Sequence, residues 1–375
     1  MEKKVEHMIK NGKKVLFVID LIKGGGGAQK VLKIAMQTLK KNGFETELIV
    51  LKRSNEELDF SEFRVHYVLN EDDKLLPNSF IILEKLRNLM REFDIVCTFI
   101  DFITTYYAAL AIELNCFCVS KNANAKQALE SRELVTHKTD QKLICFVRNK
   151  LSFLSQSFAL KELNLDLAKL SLSRADKVVA NSIECQKELL EFGIKNPLLL
   201  NNPIILPKHI ENNLNLNKNY ALAVGRLSKE KDYETMIKAF KKANCKDLKL
   251  IILGEGDLKN SLLELAKGAN IEFLGYKKNV ITYLANAKFF IQTSLFEGSS
   301  NSVLESYALG VPAILSDIPQ NREIYNLDAC YVPCKDITSL SNSIRKLNEN
   351  STKFNPNLTK FSIENFEKTL LGIFK

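Results

Sequence analysis

Glu297 and Glu305 bracket a polar turn and the first turns of a helix, with seven residues between them. Upstream, Phe289-Phe290-Ile291 reads as a short buried strand. The turn Glu297-Gly298-Ser299-Ser300 follows, then an apolar-faced helix from about Asn301 to Leu309 and a stop at Gly310-Val311-Pro312. The first glutamate sits on the turn and the second one to two helical turns in, at roughly 5–6 Å per turn. Between them the unpaired N–H groups of the first turn make a ready phosphate site. The geometry suits a nucleotide-sugar: diphosphate on the helix N-terminus, ribose hydroxyls on Glu305, sugar hydroxyls on Glu297. In isolation, two glutamates at this spacing read first as solvated surface charges. The other segments decide the matter.

Lys13 to Asp20 reads as a buried strand. It runs into Ile22-Lys23-Gly24-Gly25-Gly26-Gly27-Ala28-Gln29-Lys30 and then a helix with apolar Val31, Leu32, Ala35, Met36 and Leu39. A glycine-rich turn there lets backbone approach a ligand closely. It is not a P-loop, because no Gly-Lys-Ser/Thr follows. Strands at Glu45–Leu51, Arg64–Leu69, Asp94–Ile100 and Cys116–Ser120 alternate with helices at Ser79–Arg91 and Thr104–Leu114. Asp140 to about Arg174 reads as one long helical pattern, a core helix or a basic amphipathic surface for a bilayer. Ala175–Ser182 is a strand ending in a helix cap, and Ile183–Phe192 a helix closed by Gly193.

The asparagine-rich stretch Ile205–Asn219 reads as a linker, with a boundary near residue 207. A second alternating series begins at the strand Tyr220–Val224 and the polar loop Gly225–Asp232. The helix Tyr233–Lys242, the strand Leu248–Leu253, Gly254-Glu255-Gly256-Asp257 and the helix Leu258–Lys267 continue it, then Ile271–Tyr276 and Val280–Ala285. The expected fold class is therefore α/β, with two facing doubly wound Rossmann-like domains, 1–207 and 208–375, and an interdomain cleft. The Gly-rich turn, the Arg226–Lys231 loop and the Glu297 turn all follow strands and would point into that cleft. A final helix within 361–375 would pack back on the first domain.

The chain has 375 residues, 46% hydrophobic and 26% charged, the composition of an ordered globular protein. A net charge of +9 favours anionic lipid surfaces or phosphorylated substrates, and dense nucleic-acid-type basic runs are absent. The lysines among the first fourteen residues read as a solvated extension. The early lysines precede too short an apolar run for a secretory signal, and Asp101 interrupts the one long apolar stretch. Cytoplasmic residence is expected. The eight cysteines match no zinc or redox spacing and read as reduced thiols, several of them buried.

In order along the chain, GGGGAQ, GRLSKEKD, LGEGD, FLGYKKNV and FEGSSNSVLESYALGVP resemble the motifs of the family 4 glycosyltransferases of the two-Rossmann GT-B fold. The resemblance implies metal-independent, retaining transfer of a hexose or N-acetylhexosamine from a UDP-sugar, with no cofactor besides that donor. For a chain of this composition, the acceptor expected is a hydroxyl of a lipid-linked or lipopolysaccharide-type glycan at the inner face of the cytoplasmic membrane. It implies Arg226 and Lys231 as clamps on the diphosphate, Glu305 on the ribose and Glu297 on the sugar ring. Ser299, Ser300, Asn301 and Ser302 would hold phosphate through backbone N–H groups, and Tyr276 would join the donor site. Gly25, Gly26 and Gly27 would approach the donor from the first domain. The competing reading is a nucleotide-sugar-binding regulator without turnover.

Four departures from the family pattern stand out. Gln29 replaces a glutamate, Ser299-Ser300 replace Phe/Leu-Pro, Asp232 replaces a glycine, and Val119–Asn122 lacks a histidine, the nearest being His137.

Overall fold

The computed structural model describes residues 12–22, 27–55, 57–100, 102–116, 140–148, 161–207, 209–210 and 219–375. The chain divides into two units. One comprises 1–181, 185–200 and 367–375, the other 182–184 and 201–366. The change at Leu200/Asn201 precedes the boundary read near 207, because Asn201 and Asn202 already bond within the second unit.

In the first unit the described elements are β1 (Lys14–Leu21), α1 (Gly27–Lys41), β2 (Glu45–Lys52), β3 (Arg64–Leu69), α2 (Ser79–Met90), β4 (Ile95–Ile100) and α3 (Phe102–Cys116). β5 (Lys142–Val147), α4 (Lys161–Ser173), β6 (Lys177–Ala180), α5 (Ile183–Glu191) and β7 (Leu198–Leu199) complete it. The strands form a parallel sheet in the order β3-β2-β1-β4-β5-β6-β7. Val15 to Ile19 of β1 are wholly buried, as a central parallel strand covered on both faces requires. α1 buries Val31, Leu32, Ala35, Met36 and Leu39, a helical stripe, and carries Lys40 and Lys41 at its negative end.

The expected long helix over Asp140–Arg174 is corrected: Lys142–Val147 is a strand between β4 and β6, and the helix described after it is Lys161–Ser173. Leu143-Ile144-Cys145-Phe146-Val147 is a continuous apolar run, which periodicity alone does not separate from a buried helix. Its β-branched and aromatic residues favour the sheet. The expected strand at 116–120 is also corrected at Cys116, the last residue of α3; residues 117–120, with Lys121, Asn122 and His137, lie outside the described residues. Cys97 and Cys145 are buried free thiols, and burial pushes Cys145 up to about 12.

The second unit runs β8 (Tyr220–Val224), α6 (Tyr233–Ala243), β9 (Lys249–Leu253), α7 (Lys259–Ala266), β10 (Ile271–Gly275), α8 (Val280–Asn286) and β11 (Phe289–Gln292). α9 (Asn301–Ala308), β12 (Ala313–Ser316), α10 (Pro319–Tyr325), β13 (Cys330–Val332), α11 (Ile337–Glu349) and α12 (Ile363–Ile373) follow. Its parallel sheet has the order β10-β9-β8-β11-β12-β13, so chain progression reverses between β8 and β11. That reversal is the switch point at which doubly wound sheets bind ligands beyond their carboxyl ends.

From Glu367 onward α12 counts with the first unit: Phe374 meets Phe44 edge-on at 5.8 Å, and Lys177 Nζ donates to the Ile373 carbonyl at 2.5 Å. Among the described residues no helix is long and apolar enough to cross a membrane.

Candidate active site

The two strands flanking the switch point of the second unit each end in a loop that carries chemistry. β8 releases Gly225–Asp232, with Arg226 and Lys231, and β11 releases Thr293–Ser300, with Glu297. The loops are laced together. Leu295 N–H donates to the Glu230 carbonyl at 2.8 Å, and Thr293 Oγ1 lies 2.9 and 3.0 Å from the carbonyls of Lys231 and Asp232. This brings Lys231 Nζ to 2.5 Å from Glu297 Oε1, although 66 residues separate them in sequence. The same oxygen accepts from Ser294 Oγ at 2.6 Å and Gln292 Nε2 at 2.9 Å. Three donors on one oxygen, one of them an ammonium, suit a group that only accepts. The Glu297 side chain is 10% exposed, so the pair sits where charge interactions are stronger than in bulk water.

Asp232 explains one departure from the family pattern. It adopts φ 48°, ψ 46°, a left-handed conformation in which glycine is easiest and Asp or Asn next best, and its carboxylate accepts from the Thr235 N–H as the N-cap of α6. Tyr233, the next residue, is buried, and its hydroxyl lies 3.1 Å from where a Cβ on Gly225 would be. Burial, with the charge of Glu297 second, pushes the Tyr233 phenol well above its usual range.

The turn into α9 is strapped from a segment the sequence reading treated only as the approach to the linker. Asn202 Nδ2 donates to Asn301 Oδ1 at 2.7 Å and lies 3.4 Å from the Ser299 carbonyl. Ser300 is the N-cap residue but supplies no side-chain cap; its hydroxyl is 3.2 Å from that of Ser302, whose Oγ donates to the Val224 carbonyl at 3.3 Å. Among the described residues the first-turn N–H groups thus receive no side-chain cap from Ser300, beside the carboxyl end of β8. Glu305 lies half-buried in the second turn of α9, and Arg226 is exposed, with no carboxylate partner among the described residues. Tyr276 is exposed just past β10. Gly27 opens α1 in the first unit, whereas Gly25 and Gly26 lie outside the described residues.

The structure therefore gathers Lys231, Glu297, Ser300, Asn301 and Ser302 around one sheet edge. The residues that hold them, Asn202, Gln292 and Ser294, escaped the sequence reading. A glutamine in the otherwise apolar β11 and the paired asparagines before Pro203 were the available signals. Such an edge, with a fixed cation, an open helix N-terminus and carboxylates spaced along it, can grip a pyrophosphate and bind adjacent hydroxyls.

Residues 207–364 match the family model described as glycosyl transferases group 1. The N-acetylgalactosamine-N,N'-diacetylbacillosaminyl-diphospho-undecaprenol 4-alpha-N-acetylgalactosaminyltransferase of Campylobacter jejuni is 29% identical over 333 residues, 84% of this chain and 83% of that protein. The amylovoran biosynthesis glycosyltransferase AmsD of Erwinia amylovora is 26% identical over 317 residues, 81% of each. Among solved structures, HepE of Anabaena with UDP and glucose aligns at a TM-score of 0.72 and 16% identity, covering 96% of this chain and 99% of that one, a likeness of fold. The group 1 glycosyltransferase match thus falls on residues 207–364, within the second unit, and the chain as a whole has the two-Rossmann GT-B fold.

Proposed function

We propose that the chain is a retaining, metal-independent glycosyltransferase. It moves a hexose or N-acetylhexosamine from a UDP-sugar onto a hydroxyl of a lipid-linked or lipopolysaccharide-type glycan. The observation that carries this reading is the Lys231–Glu297 pair at the switch point, beside the open N-terminus of α9. An ammonium has three donors. With one on Glu297, two remain for the oxygens of a diphosphate. As the glycosidic bond breaks, negative charge grows on that diphosphate, and Lys231, Arg226 and the α9 amides stabilise it more than the ground state. These fixed charges do the neutralising that a metal ion does in other transferases, and no cofactor beyond the donor enters the scheme.

The departing phosphate takes the acceptor proton on the face from which it leaves, which retains configuration. Glu297 orients the sugar through its hydroxyls and Glu305 holds the ribose. Tyr276 borders the donor. The named substrates of the Campylobacter relative and of a diphosphoundecaprenol galactosyltransferase from Escherichia coli support a polyprenyl-diphosphate-linked acceptor. With the formal charge of +9, that supports peripheral association with the anionic inner face of the cytoplasmic membrane.

UDP release from a panel of UDP- and GDP-sugars, with a polyprenyl-diphosphate-linked saccharide as acceptor, tests the reading. Steady acceptor-dependent release is expected with a UDP-sugar, and Glu305→Ala should raise the donor Kd about 10- to 100-fold, the scale of hydrogen bonds to a charged group. Tight donor binding without turnover would instead identify a binding protein. An unchanged donor Kd in Glu305→Ala would remove the ribose role.

A further inference from the structure

A line of buried amides leads from the middle of the second unit to Glu297, and nothing in the transfer scheme uses it. Gln292 Nε2 donates to Glu297 Oε1 at 2.9 Å, while Gln292 Oε1 accepts from Asn321 Nδ2 at 2.8 Å. Asn321 Nδ2 also donates to the Ser316 carbonyl at 2.8 Å and lies 3.3 Å from Ser316 Oγ. Ser316 Oγ in turn donates to the Ser294 carbonyl at 2.6 Å, and Ser294 Oγ donates to Glu297 Oε1. Gln292, Ser294, Ser316 and Asn321 are all buried, Asn321 completely.

The polarity of this line is set at its far end. A backbone carbonyl only accepts, so Asn321 must turn its amino group toward Ser316. Its second N–H then meets Gln292, which must answer with its carbonyl oxygen. The Gln292 amino group is left facing Glu297. A reversed Gln292 would set its carbonyl oxygen against the carboxylate and its amino group against that of Asn321. Asn321 Oδ1, meanwhile, is buried with no hydrogen-bond partner among the described residues, which makes the asparagine a poor device for stability alone. Likewise an apolar side chain at position 292 would suit β11, otherwise Phe-Phe-Ile, without the need to satisfy a buried amide.

We infer that Gln292 and Asn321 are positioning residues for Glu297. Their oriented amides help fix the carboxylate rotamer and saturate Oε1, so that Oε2, which none of these bonds engages, is the oxygen offered to the donor sugar. The inference rests on the transfer reading, since it gives Glu297 the sugar ring. It adds that recognition of the sugar, separately from the nucleotide, is set by two residues that never touch the donor.

The test is calorimetric titration of the full chain with UDP and with UDP-glucose, UDP-galactose and UDP-N-acetylgalactosamine, beside kcat. The readout is the ratio of the UDP Kd to the Kd of the tightest UDP-sugar. Gln292→Met and Asn321→Leu should each lower that ratio and kcat by about tenfold, the lower end for a hydrogen bond to a charged group, with the UDP Kd unchanged within about twofold. An unchanged ratio and kcat, or UDP and UDP-sugar affinities that weaken together, would overturn the inference, the second result indicating a structural role. If Asn321→Leu does not fold, Gln292→Met decides by the same criteria. A wild-type chain that fails to bind UDP overturns the transfer reading itself. A Glu297→Ala chain with an unchanged ratio removes the sugar from Glu297 while leaving nucleotide binding intact.

Discussion

Lys231→Ala should lower kcat/KM by roughly 30- to 900-fold, equivalent to ~2–4 kcal/mol of lost transition-state stabilisation. Two effects combine. The variant removes a cation from the place where charge develops on the leaving diphosphate. It also leaves the largely buried Glu297 side chain with two neutral donors, Gln292 and Ser294, where it had an ammonium as well. Because Lys231 and Glu297 are in direct contact, the loss in Lys231→Ala/Glu297→Gln should fall short of the sum of the single losses. Steady-state kinetics on the two singles and the double would show this. Near-wild-type turnover in Lys231→Ala would take the residue out of the site.

The second large effect falls on the scaffold. Gly254→Ala should destabilise the second unit by on the order of 3–5 kcal/mol, a lowering of Tm of roughly 6–20 °C for a unit of this size. Gly254 has φ +146°, and a Cβ there would lie 1.9 Å from the Gly225 carbonyl oxygen, which is backbone and cannot swing away. Gly254 N–H also donates to the Gly275 carbonyl at 2.9 Å, and Gly225 N–H to the Leu253 carbonyl at 3.0 Å. These bonds tie the carboxyl ends of β8, β9 and β10 together directly before Arg226. Gly268→Ala is the control. Its φ of +76° carries the same kind of backbone penalty, but nothing lies within 4 Å of the added methyl, so about 1 kcal/mol is expected. Equal melting temperatures for the two variants would show that the close approach at Gly254 carries no weight.

These two residues also show what was legible in the sequence. The strand–loop–helix alternation from Tyr220 to Leu309 was legible because each strand is a short apolar run and each loop opens on glycine or a polar cluster. The boundaries of β8, β9, β10 and α9 differ from that reading by no more than a residue or two. The Lys142–Val147 strand was hidden because a buried parallel strand has apolar residues on both faces, and its run merged with the helical pattern that follows. The elements after Pro312, β12 through α11, went unassigned although Asp336 caps α11 by accepting from the N–H groups of Thr338 and Ser339, an Asp-x-Thr-Ser signal present in the sequence.

In the site, glutamate spacing and the lysine loop were visible as types and intervals. That one Glu297 oxygen takes Lys231, Ser294 and Gln292 together was not, because such pairings depend on which loops the sheet order makes neighbours. Asn202 escaped for the same reason: its partners, Ser299 and Asn301, lie 97 and 99 residues away. The αL backbone of Asp232 turns an apparent departure from the family pattern into a conservative one.

A crystal structure of the chain with UDP tests the central claim most directly. The account predicts the pyrophosphate on the first-turn amides of α9, within hydrogen-bond reach of Lys231 Nζ and the Arg226 guanidinium, with the ribose hydroxyls on Glu305. A nucleotide bound away from the β8–β11 switch point, or one there with Lys231 still paired only to Glu297, would contradict it.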